Sequence, residues 1–112
     1  MEEDEVFQEN VTLDLTGCNR VWDFWNLILD SFDFQPHFGK NWDAFWDMIS
    51  MECPAHKVTV IGANTLPKAW ICLDGQTYSE KLRRILQKNK EFKARYHYEF
   101  DYEFIDVQTD ES

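Results

Sequence analysis

Val11-Thr12-Leu13-Asp14-Leu15 alternates apolar and polar positions, the period of a half-buried strand. Thr16-Gly17-Cys18-Asn19 interrupts it, with Gly17 permitting a turn and Asn19 able to cap a helix after it. Val21, Trp22, Phe24, Trp25, Ile28, Leu29 and Phe32 then recur at helical spacing, which predicts an amphipathic helix over 20–32. Pro36 and Gly39 mark 33–40 as a loop. Asn41 is a strong N-cap residue, and Trp42, Phe45, Trp46 and Ile49 give the next helix, 41–51, its apolar side. Pro54 ends that element, and Lys57-Val58-Thr59-Val60-Ile61 is a second strand closed by Gly62.

Residues 63–77 fit no single period. Pro67 suits a first helical turn, so a short helix over 67–73, stopped by Gly75, is the expectation there. Ser79 can cap a third helix running to Arg95, with Leu82, Ile85, Leu86 and Phe92 as its stripe. Tyr98, Phe100, Tyr102 and Phe104 alternate with Glu99, Asp101 and Glu103, which predicts a last strand with one aromatic and one acidic face. Strands separated by helices need crossover connections, so the expected fold is α/β: a small three-stranded parallel sheet with helices packed on it.

A chain of 112 residues and 13.5 kDa fits one domain. We expect it over 11–107, between a flexible acidic N-terminus at 1–10 and a flexible tail at 108–112. Aromatics at 16% exclude a disordered chain. No apolar run approaches the roughly 18 residues of a membrane span, and Glu2-Glu3-Asp4-Glu5 is acidic where a secretory leader is basic. A cytoplasmic protein without membrane association is the expectation. An odd number of cysteines, Cys18, Cys53 and Cys72, suits reduced thiols better than a disulfide framework. Cys53 and His56 stand in C-x-x-H spacing, but a structural zinc site needs about four ligands and no second pair is near. No metal or other cofactor is expected.

Charge changes the picture most. The net charge is −10, and residues 1–52 carry all of it, with twelve acids against two bases; 53–112 are balanced. Within 79–95, by contrast, seven bases face two acids. The overall charge excludes nucleic acid as a direct ligand, because phosphates would be repelled. It serves solubility, and it would also steer a basic partner. Asp43 and Asp47 are four apart, so both leave one helix face, with Trp46 beside them. Three readings of this constellation stand side by side. Asp43 can serve the helix dipole with Asp47 solvated and Trp46 in the core; the three can form an interaction rim; or the carboxylates can be an acid–base pair, although such pairs line a cleft.

At these residues Phe38-Gly39-Lys40-Asn41-Trp42-Asp43-Ala44-Phe45-Trp46-Asp47 resembles the barstar family of ribonuclease inhibitors, whose signature is aromatic-Gly-x-Asn-x-Asp-Ala-Leu-Trp-Asp. Gly39, Asn41, Asp43, Ala44, Trp46 and Asp47 match it identically, while Phe38 replaces Tyr and Phe45 replaces Leu. The resemblance implies that the loop and second helix plug a nuclease active site. Asp47 would take the phosphate pocket and Asp43 would pair with a neighbouring base. His37, Phe38, Gly39 and Trp46 would make the surrounding contacts, and Asn41 would hold the loop-to-helix junction. His37 and Lys40 depart from the family's namesake, as does the basic last helix with Arg83, Arg84, Lys88 and Lys90, where the namesake has acidic contacts. Glu99, Asp101 and Glu103 are either a substitute patch or a solvated strand face, and the latter is favoured.

The expected function is therefore that of a non-enzymatic immunity protein, bound 1:1 to a basic ribonuclease toxin and monomeric when free. The same fold neutralising a DNase or another basic toxin is the alternative, as is a general protein-interaction module. An enzyme would need an organised triad, phosphate loop or metal set, and the sequence offers none.

Overall fold

The computed structural model describes residues 10–32, 41–51 and 56–108. Three strands, β1 (Asn10–Asp14), β2 (Lys57–Ile61) and β3 (Asp101–Ile105), form one parallel sheet in the order β1-β2-β3. Parallel neighbours need crossovers, and these are supplied by α1 (Val21–Phe32) and α2 (Trp42–Met51) before β2, and by α3 (Tyr78–Arg95) before β3. The expected α/β architecture is the one observed.

Register explains the sheet's two faces. Val11, Val58 and Tyr102 lie side by side, as do Leu13, Val60 and Phe104. Val11, Leu13, Val58 and Val60 are buried, each contributing about 1.5–3 kcal/mol of burial. The opposite face carries Thr12, Thr59 and Glu103 in register and is mostly polar, with Ile61 and Ile105 side by side at its end. Lys57 Nζ there meets Glu103 Oε1 at 3.0 Å. Parallel sheets are ordinarily apolar on both faces, so alternation here marks a sheet with one solvated side.

Phe24, Trp25, Ile28 and Phe32 of α1, Phe45 and Ile49 of α2, and Leu82, Ile85 and Leu86 of α3 complete the core. Helix α1 packs on β1, α3 on β3, and α2 against α3. An aromatic cluster of Phe24, Trp25, Trp42 and Tyr78 joins the starts of all three helices, with ring centroids 4.9–6.4 Å apart. Most of these contacts are edge-on, the preferred geometry for aromatic quadrupoles.

Three expectations are corrected. The helix expected over 67–73 does not form. A short 3-10 turn over Ala63–Thr65 follows Gly62, and Ile71 pairs with Thr77 in an antiparallel bridge around a turn at Gly75. Helix α3 is capped by Thr77 rather than Ser79. The Thr77 hydroxyl accepts from the Glu80 N–H and the Glu80 carboxylate accepts from the Thr77 N–H, a reciprocal capping box. The last strand begins at Asp101, not Tyr98. Helix α3 ends in a Schellman motif, with Tyr98 N–H donating to the Lys93 carbonyl and His97 N–H to that of Ala94. His97 takes the left-handed conformation this requires (φ 64°), and the chain turns there before pairing starts.

At the far end of β2, Gly62 has φ 77°, and an added Cβ would lie 2.6 Å from Thr16 Oγ1 and 3.1 Å from the Thr16 nitrogen. Only glycine fits this close crossing of the strand ends.

Candidate partner-binding face

Helix α2 starts where Asn41 makes it start. The Asn41 side-chain oxygen accepts from the Ala44 N–H at 2.8 Å, and its carbonyl accepts from the Phe45 N–H at 3.0 Å. The N-cap expected from sequence is thus present, and it fixes the helix phase. Trp42 then turns into the aromatic cluster, while Phe45 and Ile49 enter the core. The Trp42 indole N–H is buried and meets no nitrogen or oxygen acceptor among the described residues; the nearby Cys72 sulfur interacts with it only weakly.

With that phase set, Asp43 and Asp47 are exposed on one side of α2. Neither carboxylate has an ion-pair or hydrogen-bond partner among the described residues. Asp43 lies in the first turn, where the helix dipole favours an acid. Asp47 is one turn further on and gains little from it. Trp46 is half-buried at the seam between α2 and α3, so the core reading of this side chain holds only in part. Its ring packs edge-on to Phe92 at 5.7 Å, and Lys88 Nζ sits 4.5 Å from its centroid.

Of the residues singled out from sequence, Asn41, Asp43, Trp46 and Asp47 therefore fall within two turns of one rigid helix. His37, Phe38, Gly39 and Lys40 lie outside the described residues. What sequence reasoning missed is the continuation of the seam on α3. Arg84, Lys88, Phe92 and Tyr96 succeed one another at intervals of four, and Phe92 stacks edge-on to Tyr96 at 5.2 Å. That spacing is a legible stripe, but nothing local to α3 says that Trp46 lies beside it.

Burial pushes the Cys18 thiol up, helped by Asp23 and Asp14; burial and Asp74 push up Cys72. Neither is the depressed thiolate that nucleophilic catalysis uses. Cys53 is outside the described residues, and His56, in C-x-x-H spacing from it, is exposed. Among the described residues no group of three His, Cys, Asp or Glu is placed to hold a metal ion. No helix among them is long and apolar enough to cross a membrane.

The basic α3 is largely satisfied locally. Lys81 pairs with Asp74 at 2.7 Å and Lys90 with Asp101 at 3.1 Å, while Arg83 lies 4.1 Å over the Phe104 ring. Asp101 and Glu103 are thus an exposed strand face tied to neighbouring lysines, in keeping with the solvated reading.

A family model described as Barstar (barnase inhibitor) matches residues 8–104. Neither curated proteins nor solved structures gave a match. The matched span takes in every strand and helix of the fold except the last residue of β3.

Proposed function

The chain belongs to the barstar family of ribonuclease inhibitors, and from that premise we propose that it is the immunity protein of a ribonuclease toxin, blocking the enzyme's active site with α2. The observation that carries this reading is the pair of exposed carboxylates, Asp43 and Asp47, free of countercharges among the described residues and held on a capped, core-anchored helix beside Trp46. A ribonuclease site is built to bind phosphate. Rigid carboxylates can occupy the same cationic pocket, since Arg and Lys form charge-assisted bonds to either anion.

In this reading Asp47 enters the phosphate pocket and Asp43 pairs with a base at its edge. Trp46 packs at the rim with His37, Phe38 and Gly39 of the preceding segment. Asn41 belongs to the same partner-binding set and holds the loop-to-helix junction. The complex is 1:1, the free protein is monomeric, and inhibition is by occlusion, with no chemistry done by this chain. The site of action is the cytoplasm of the cell that must be protected. Preorganisation matters here: α2 is fixed by its cap and by Trp42, Phe45 and Ile49, so little ordering entropy is lost on binding.

Calorimetric titration of a purified ribonuclease partner with the Asp47→Ala variant tests the assignment. Leaving the facing cations buried and unpaired costs about 3–5 kcal/mol, which lowers affinity by two to nearly four orders of magnitude. A loss under about 0.5 kcal/mol, the size of an exposed surface pair, would remove Asp47 from the contact.

A further inference from the structure

Trp46, which stands between the two acids in sequence, carries a cation on its ring. Lys88 of α3 holds its ammonium 4.5 Å from the ring centroid of Trp46, the residue that precedes Asp47 and follows Asp43 by three positions in α2. Lys57, Lys81 and Lys90 each have a carboxylate within 3.1 Å. Lys88 has none among the described residues, although Asp47 neighbours the ring that it caps. A lysine whose only task was to neutralise the acid pair would bond to it. This one keeps its charge on a π-face, with the exposed Arg84 one turn before it.

The result is a surface with two signs side by side. A partner that is cationic everywhere around its active site would gain at Asp43 and Asp47 and be repelled at Lys88. Like charges brought together in an interface are a means of rejecting wrong partners. We propose that Lys88 is a specificity-determining residue: the ribonuclease that fits this face carries an acidic side chain on the rim of its cationic cleft, opposite Lys88. This rests on the inhibitor reading and narrows it, because it excludes ribonucleases whose cleft rim is uniformly basic. The aromatic seam of Trp46, Phe92 and Tyr96 lies beside the two charged zones and gives the contact an apolar strip. Tyr96 is 59% exposed and so accessible to a partner.

The probe is catalytically inactive barnase displayed on yeast, with the positions around its cleft randomised and sorted for binding. Four forms of this chain serve as bait: wild type, Lys88→Met, Lys88→Glu and Asp43→Ala/Asp47→Ala. Lys88→Met keeps the aliphatic stem on Trp46 and removes only the charge, so packing and charge effects separate. The expected result is that wild type enriches Asp and Glu at one cluster of rim positions. Lys88→Glu should enrich Lys and Arg at the same positions, and Lys88→Met should show no charge preference there. Individual clones should then show affinity differences of about two- to fivefold between Lys88 and its methionine variant, as an exposed ion pair gives. Identical selections by wild type and Lys88→Glu, with binding still dependent on Asp43 and Asp47, would overturn the role of Lys88 and leave the inhibitor reading standing. Failure of any bait to select a clone that depends on Asp43 and Asp47 would overturn both.

Discussion

Asn89 is fully buried on α3, on the same stripe as Leu82, Ile85 and Leu86, and neither its Nδ2 nor its Oδ1 has a hydrogen-bond partner among the described residues. A buried amide without partners forfeits its hydration for nothing and costs about 1–3 kcal/mol. Leucine has the same branching and the same number of side-chain heavy atoms, so Asn89→Leu replaces the amide with two methyl groups in the same place. It also removes a poor helix former from the interior of an 18-residue helix, worth up to about 0.7 kcal/mol. The larger methyls strain the site and take back part of this. The net expectation is a gain of about 1–2 kcal/mol. With a urea slope of about 1–3 kcal/mol/M, the unfolding midpoint should rise by roughly 1 M at unchanged slope. Asn89→Asp should move the opposite way, because a charge is costlier to bury than an amide. A midpoint that falls with Asn89→Leu by the equivalent of about 1 kcal/mol or more would mean that the amide is hydrogen-bonded, and the account of this core would be wrong.

Two further outcomes rest on local geometry. Thr77→Ala removes one half of the capping box that starts α3 and should cost about 0.5–2 kcal/mol in urea unfolding, whereas Ser79→Ala should cost far less. Asp74 is held down to about 2, first by the hydrogen bond from Lys81 and then by the Gln76 N–H. A carboxylate depressed in the folded state stabilises above its unfolded value, near 3.8, and that contribution disappears as pH falls toward 2. Asp74→Asn should therefore make the loss of stability between pH 4 and pH 2 shallower, measured by urea midpoints along the pH series.

How much of the fold is readable from sequence depends on whether the signal is local. Helices α1 and α2 and strand β2 follow from period alone, and Asn41 caps where an N-cap residue precedes an apolar stripe. Strand β1 is displaced by one residue because Leu15 is as apolar as Leu13; only pairing distinguishes them, and Leu15 contributes its N–H to Ile61 just beyond the strand. The cap of α3 was legible too. Thr77 has Glu three positions on, whereas Ser79 has Leu82 there, and only the former can close a reciprocal box. The start of β3 was not legible. Alternation runs on through Tyr98 and Glu99, but the left-handed turn at His97 is a property of the helix end, not of the strand pattern.

The candidate site divides the same way. Asp43 and Asp47 share a face by spacing alone. The position of Lys88 over Trp46 joins residues far apart in sequence, and no period within either helix predicts it.

The central claim is that the acidic side of α2 closes a ribonuclease active site. RNA cleavage by barnase, and by the ribonuclease encoded nearest this chain's own gene, should be followed while each enzyme is titrated with wild type and with Asp43→Ala/Asp47→Ala. The account predicts that cleavage by one of them falls linearly to zero at one equivalent of wild type, and persists at that ratio with the variant. Cleavage undiminished for both enzymes, or abolished equally by the variant, would contradict it.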